Sequence, residues 1–134
     1  MTPDTKSSAT AVVRRFYHAF VAGDMATVDS LMTEDVSFHV PGTGSNAGDY
    51  QGKEAVFGFF GKAANATGGS LKLELLDVLA GEDHVAALAT YRAEREGRAP
   101  LQNNLVQLIK LRDGRIAQSW FHSRNQYEVD AFWA

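Results

Sequence analysis

Residues 101–123, LQNNLVQLIKLRDGRIAQSWFHS, decide the fold of this chain. Two runs of alternating apolar and polar residues flank Asp113-Gly114, and Asp-Gly between such runs is the strongest short-range signal of a β-hairpin. A two-residue turn at Asp113-Gly114 places Leu111 opposite Ile116. Counting outward from this pair predicts which side chains share a face, because side chains alternate between the two faces along a strand.

One face of this predicted hairpin mixes apolar and polar side chains. Leu105 and Ile109 anchor it, so we expect it to face the interior together with Tyr91 of the preceding strand. The same face carries further side chains with polar groups, namely Asn103, Gln107, Trp120 and His122. An unsatisfied buried polar group costs roughly 1–3 kcal/mol. The cluster therefore predicts a cavity that holds water or a ligand, although a structural hydrogen-bond network explains any single member equally well. A one-residue bulge near the turn would exchange the faces.

The composition narrows the class of protein. The chain has 134 residues with 13 Lys+Arg, 16 Asp+Glu and no cysteine. We expect a single domain over 1–134, with residues 1–7 as a flexible arm. A net charge of −3 argues against a nucleic-acid partner. Polar opening residues and the lack of a long apolar run predict a cytoplasmic chain without a membrane partner.

The order of the predicted elements indicates an α+β fold. Helical spacing covers about 8–22, a short segment after Asp24, and 53–66, whereas strand patterns cover 36–40 and most of the chain after residue 70. The predicted strands of this second half are about 70–80, 84–95, 101–112 and 115–123. This order predicts a curved antiparallel sheet wrapped around three N-terminal helices.

Four further residues are candidates for the cavity. His39 borders a polar glycine-rich loop at 42–49, and its face is ambiguous from the pattern. Tyr50 ends this loop, where it could donate to a substrate oxygen or anchor the loop. Tyr17 lies near the apolar stripe of the first helix, and Phe59 belongs to an aromatic cluster that favours core packing; we expect both to contact a ligand. No metal-ligand spacing or phosphate-loop motif occurs, so we expect neither a metal nor another cofactor.

Some apolar side chains have no evident packing partner within a single barrel. The tail is strongly aromatic at Tyr127, Phe132 and Trp133, and must pack on the barrel or on a second subunit. Val106 and Leu108 lie on the predicted outer sheet face. These residues predict a homodimer.

Several segments together resemble the SnoaL-like branch of the nuclear transport factor two-like superfamily. The resemblance spans nearly the whole chain and rests on VVRRF at 12–16, AGD at 22–24, FHVPG at 38–42, GDYQGKEAV at 48–56, and RDGRI at 112–116 followed by Trp120. It implies the cone-shaped α+β barrel shared with ketosteroid isomerase, scytalone dehydratase and limonene epoxide hydrolase. The same resemblance implies a dimer.

The acids that these relatives use are missing from this chain. The two pocket acids of ketosteroid isomerases fall near Val40 and at Gln107. The acid of SnoaL-type cyclases, four residues beyond the tryptophan, falls at Arg124. An aspartate of limonene epoxide hydrolases, two residues beyond the tryptophan, falls at His122. The resemblance therefore implies the fold but not one of the known catalytic sets.

Two functions follow as hypotheses. The first is a small cofactor-independent SnoaL-like enzyme that performs a cyclisation, isomerisation or epoxide opening on a hydrophobic polyketide- or terpenoid-like molecule. In it, His122 or His39 moves the proton, because an imidazole titrates near neutral pH, while Tyr50 and the polar cavity residues stabilise charge on oxygen. The alternative is a non-catalytic ligand-binding or accessory domain of the same fold, which the missing acids favour.

Overall fold

Four helices and a curved six-stranded sheet make up the described part of the chain, residues 5–134, in this computed structural model. The helices are α1 (Thr5–Ala22), α2 (Met25–Ser30), α3 (Lys53–Ala66) and α4 (Gln126–Trp133). The strands are β1 (Met32–Val40), β2 (Gly48–Gln51), β3 (Lys72–Ala80), β4 (Val85–Ala93), β5 (Leu101–Arg112) and β6 (Arg115–Ser123). The predicted α+β class with a curved sheet against helices is confirmed.

The sheet is mixed and does not close. Its strand order is β2-β1-β6-β5-β4-β3, so β2 and β3 form its two edges. Neighbouring strands are antiparallel except β1 and β6, which run parallel. The prediction of an all-antiparallel sheet is therefore wrong at this pair. The chain passes through β2, α3 and three further strands before β6 returns beside β1, which makes a parallel pairing possible.

Local signals explain where the first two helices begin and end. α1 buries Val13, Phe16 and Tyr17 and ends at Ala22, before Gly23, whose φ of 75° is the left-handed conformation that glycine adopts at low cost. The Asp24 side chain then accepts a hydrogen bond from the Thr27 N–H at 3.2 Å and caps α2. α1 includes residues 5–7, which the sequence assigned to an arm, and the rest of that arm, 1–4, lies outside the described residues.

The β5–β6 hairpin follows the predicted turn and then departs from the predicted register. Asp113 and Gly114 have φ of 53° and 76°, as a two-residue hairpin turn requires, and Leu111 pairs with Ile116. The next pair is Lys110 with Gln118, which leaves Ala117 as a bulge. From that point β6 presents the opposite set of side chains to the interior.

This bulge corrects two predictions. Trp120 pairs with Leu108 and His122 with Val106, so both lie on the outer face of the sheet. Phe121 pairs instead with Gln107 and faces the interior, as do the side chains two positions away on either side. The prediction that Trp120 and His122 share the inner face with Gln107 is wrong, because one extra residue in a strand reverses every later side chain.

The C-terminal helix α4 closes the end of the sheet beside the glycine-rich loop. Its residues Val129, Phe132 and Trp133 form a second core with Ala93 and Leu101. The tail was expected to pack on the barrel or on a second subunit. Phe132 and Trp133 pack against the sheet of the same chain, whereas Tyr127 is exposed.

The glycine-rich loop lies directly against α4. The Ser45 N–H donates to the Trp133 carbonyl oxygen at 2.7 Å. A Cβ atom on Gly44 would lie 2.5 Å from the Trp133 Cβ, closer than two carbons approach. The loop needs glycine here because the helix occupies the space of a side chain.

We therefore expect Gly44→Ala to lower the free energy of unfolding by about 1–3 kcal/mol, because the added methyl group overpacks the contact with Trp133. Calorimetric or denaturant unfolding measures this. Gly61→Ala is the control: Gly61 is exposed within α3 and a Cβ there meets nothing within 4 Å. This control should be neutral or stabilising by up to about 1 kcal/mol. Equal effects of the two substitutions would contradict the close contact.

Candidate ligand-binding pocket

A cavity of about 340 Å³ lies between the helices and the inner face of the sheet. This volume is at the lower end of the range typical of small-molecule sites, about 300–1,000 Å³. Six phenylalanines supply much of its apolar wall: Phe16, Phe20, Phe38, Phe59, Phe60 and Phe121. Their rings pack on one another, and Phe38 contacts Phe60 edge-on with ring centroids 5.6 Å apart. The site favours a flat or ring-containing apolar molecule.

The wall contains no Asp, Glu, Lys, Arg or His side chain among the described residues. Moving an ionised ligand group from water into this cavity is strongly unfavourable, because no side chain of opposite charge is there to pair with it. The buried part of a ligand is therefore expected to be neutral.

The first polar cluster at the wall consists of three buried side chains joined by hydrogen bonds. The Tyr17 hydroxyl donates to Gln107 Oε1 at 2.5 Å, and Gln107 Nε2 donates to Ser119 Oγ at 2.7 Å. Burial raises the pKa of Tyr17, so this phenol stays protonated at neutral pH. The hydroxyl of Tyr17 already has its acceptor within the protein.

The second polar group lies where β4, β5 and β6 meet α4. Trp133 Nε1 donates to the Tyr91 hydroxyl oxygen at 3.1 Å, and Asn103 Nδ2 donates to Ser123 Oγ at 3.0 Å. Burial raises the pKa of Tyr91, while hydrogen bonds from Trp133 and Asn103 oppose this rise and do not cancel it. Tyr91 is therefore also a protonated phenol at neutral pH.

The mouth of the cavity lies between the glycine-rich loop, the end of α3 and the start of α4. Exposed residues of the lining, Pro41, Ala64 and Gly69, mark the opening. Asp130 joins the loop to α4: its Oδ1 accepts hydrogen bonds from the Thr43 N–H at 3.0 Å and from Gln126 Nε2 at 2.9 Å. The hydrogen bond from Gln126, followed by that from Thr43, lowers the pKa of Asp130. The ionised carboxylate thus holds one side of the mouth in place.

The structure brings five of the predicted site residues to this cavity. Its lining includes Tyr17, Phe59, Tyr91, Asn103 and Gln107. Contact of these residues with a ligand stays a prediction.

Both candidate histidines and Trp120 lie on the other side of the sheet. The His39 ring stacks on Trp120 with centroids 5.6 Å apart and planes at 15°, and its Nδ1 lies 2.8 Å from Asp49 Oδ1. His122 is exposed on the same outer face, and neither histidine lines the cavity. The expectation that one of them moves a proton inside the cavity is wrong, because the backbone of the sheet separates them from it.

Tyr50 supports the loop rather than lining the cavity. Its hydroxyl donates to the Asn46 carbonyl oxygen at 2.7 Å, and its ring packs on Phe59 with centroids 4.8 Å apart. Burial raises its pKa. Of the two interpretations of Tyr50, the structure matches the loop anchor.

Several lining residues were not predicted from the sequence, among them Phe121, Ser123, Gln126 and Trp133. The bulge at Ala117 explains Phe121 and Ser123. Gln126 and Trp133 lie on α4, whose aromatic pattern indicated packing but not its position at the cavity.

Within residues 5–134, no group of three or more His, Asp or Glu side chains is arranged to hold a metal ion. No helix in that range is both long and apolar enough to cross a membrane.

Comparison with known proteins identifies relatives over nearly the whole chain. The sequence pattern of the SnoaL-like domain matches residues 13–119. Uncharacterized proteins of Mycobacterium tuberculosis and Mycobacterium bovis are 32% identical over 124 residues, which is 92% of this chain and 94% of theirs. These matches concern sequence and carry no activity with them.

Solved structures show the same architecture. Bal32a, from a soil-derived mobile gene cassette, is 36% identical with a TM-score of 0.93, covering 98% of this chain and all (100%) of its own. A Xanthomonas campestris protein of unknown function with a cystatin-like fold is 28% identical with a TM-score of 0.87, covering 94% of this chain and 98% of its own. A protein of Jannaschia sp. CCS1 assigned to the SnoaL-like polyketide cyclases shares the fold at 14% identity, with a TM-score of 0.80 over 100% of this chain and 97% of its own.

The Asp130 contacts predict a pH-dependent contribution to stability. Because its pKa is lower in the folded chain than in the unfolded chain, the carboxylate stabilises the fold above its unfolded pKa. This contribution is lost as the pH falls through the folded pKa.

Asp130→Asn should therefore lower the melting temperature at pH 7, and the difference from the wild type should shrink toward pH 3. Glu128→Gln is the control, since the Glu128 carboxylate on the same helix makes no hydrogen bond or ion pair within the described residues. A difference between wild type and Asp130→Asn that stays constant with pH would contradict this role.

Proposed function

This chain is a member of the SnoaL-like family, and we propose that it binds a neutral, hydrophobic polyketide- or terpenoid-like small molecule in the cavity. The observation that carries the proposal is a cavity of about 340 Å³ with six phenylalanines and no charged side chain in its described lining. Removing apolar ligand surface from water gives roughly 25 cal/mol per Å². Aromatic contacts add about 0.5–1.5 kcal/mol per well-placed pair.

The polar groups of the cavity orient a ligand and supply hydrogen bonds, and they do not supply a base. Tyr17 and Tyr91 are protonated phenols, and the remaining polar lining consists of amides, Ser123 and the indole N–H of Trp133. These groups stabilise negative charge that develops on a ligand oxygen. They do not remove a proton from carbon at neutral pH. Binding is thus the function that this site supports best.

A second candidate is the cyclisation or isomerisation of such a molecule, and the donor groups at the α4 end of the cavity favour it. Hydrogen bonds to a carbonyl lower the energy of an enolate-like transition state. Because no base lines the described cavity, a basic group of the substrate itself would accept the α-proton and return it to carbon. Product analysis after incubation with a bound ketone distinguishes this candidate from simple binding.

Binding is tested with phenylnaphthylamine, a neutral probe whose fluorescence rises in apolar surroundings. We expect one saturable site in the wild type. Ala64→Trp should weaken binding about tenfold or more, because the indole fills the mouth at an exposed position where it does not disturb the core. Asn65→Trp is the matched control, since Asn65 is exposed on the same helix and outside the lining. Absence of saturable binding to the wild type, or equal effects of both variants, would overturn the proposal.

We also propose that the chain forms a homodimer through the outer face of the sheet. Apolar side chains there, Leu88, Val106 and Leu108, are half-buried, and adjacent strands place them next to one another and beside Trp120. His39 and His84 flank the Trp120 ring at 5.6 and 6.1 Å. Within residues 5–134, the apolar cores that join helices and sheet lie on the opposite side of the strands, which leaves this face able to meet a second copy around a two-fold axis.

Leu108→Glu should convert the dimer to a monomer, because it places a charge at the centre of the proposed interface. Light scattering at micromolar concentration measures the mass. His18→Glu, on the exposed side of α1, is the control and should leave the mass unchanged. A wild-type mass equal to that of one chain would contradict the dimer.

A further inference from the structure

We propose that the Tyr91 hydroxyl selects the ligand of this cavity by donating its proton to a carbonyl oxygen on a neutral aromatic molecule. This inference rests on the proposed binding function and adds the polar group that the ligand must carry. The carbonyl would lie at the end of the cavity formed by Tyr91, Asn103, Ser123 and Trp133.

The first step is the direction of the Trp133 hydrogen bond. An indole N–H only donates, so the contact of 3.1 Å between Trp133 Nε1 and the Tyr91 oxygen makes that oxygen the acceptor. Trp133 is 2% exposed, so this contact is sheltered from solvent. The neighbouring Asn103 Nδ2 donates to Ser123 Oγ at 3.0 Å.

The second step concerns the hydroxyl proton. A phenol both accepts and donates, and the acceptor side of Tyr91 is occupied. No described residue accepts the Tyr91 proton in a hydrogen bond. The hydroxyl belongs to a side chain that lines the cavity, so its acceptor has to come from what fills the cavity.

The contrast with Tyr17 shows that this is a property of Tyr91 and not of every tyrosine in the wall. Tyr17 donates its proton to Gln107 Oε1 at 2.5 Å, and Gln107 in turn donates to Ser119. Tyr17 therefore has its acceptor without a ligand. The two phenols line the same cavity and differ in whether the protein satisfies the donor.

The third step is the chemical class of the acceptor. A carboxylate would need a cation, and no Lys, Arg or His lines the described cavity. A ligand hydroxyl could also accept the Tyr91 proton, but it brings a further proton that needs an acceptor of its own. A carbonyl accepts without donating and so meets the Tyr91 donor with no further requirement. The ligand class is therefore a neutral aromatic ketone or quinone.

Two probes of nearly equal shape test this assignment: acetylnaphthalene, which carries the ketone, and ethylnaphthalene substituted at the same ring position, which does not. Equilibrium dialysis gives the affinity of each for the wild type, Tyr91→Phe and Tyr17→Phe. We expect Tyr91→Phe to weaken the ketone about fivefold and to leave the hydrocarbon within about twofold. Tyr17→Phe should leave the ratio of the two affinities unchanged. Melting temperatures establish that both variants are folded.

A second measurement is independent of any variant. The carbonyl stretch of acetylnaphthalene bound to the wild type should fall below its frequency in an apolar solvent, as hydrogen bonding requires. A stretch equal to that in the apolar solvent would overturn the inference. If Tyr91→Phe weakened the affinity for both probes equally, or for neither, the inference would also be overturned, while the binding function would stand. Failure of both probes to bind the wild type would instead count against the binding function.

Discussion

The unpaired residue Ala117 determines which side chains of β6 face the interior of this protein. Ile116 and Ala117 are neighbours in one strand, and a regular strand would send one of them outward, yet both are buried. The bulge allows this by adding one residue between two consecutive pairs of the ladder. Every later side chain of β6 then changes face, which brings Phe121 into the cavity and puts Trp120 outside. The apolar cavity and the aromatic outer face are two results of the same insertion.

The cavity depends, second, on the close contact between the glycine-rich loop and α4. Ala47 carries the one apolar side chain of the loop, and the loop meets the helix through backbone contacts and through Asp130. At the same C-terminal end of α4 that Ser45 contacts, Arg95 Nη1 donates to the Phe132 carbonyl oxygen at 2.5 Å and its guanidinium lies 5.9 Å from the Phe132 and Trp133 ring centroids. A cation at this end offsets the partial negative charge of the last carbonyls. The loop and Arg95 together fix the end of this short helix, and Trp133 is held at the cavity.

Much of the fold follows from the sequence, and the site follows only in part. Periodicity and turn residues were enough for α3 at 53–66 and for the hairpin turn at Asp113-Gly114, because local sterics control both. The inward position of Gln107 also followed, since β5 is regular beyond the turn. The faces of Trp120 and His122 could not be predicted, because the sequence around a bulge looks like that of a regular strand. The place of α4 depends on long-range contacts with Ala93 and Leu101, which spacing alone does not encode.

The positions of the two tryptophans give the molecule two separate optical signals. Trp133 is 2% exposed and lines the cavity, whereas Trp120 is half-buried on the opposite face of the sheet between two histidines. Indole emission depends on the polarity of its surroundings and on nearby quenching groups. The emission of Trp120 therefore follows whatever covers the outer face, while that of Trp133 follows the contents of the cavity. Replacing one indole at a time by phenylalanine separates the two signals within a single unlabelled chain.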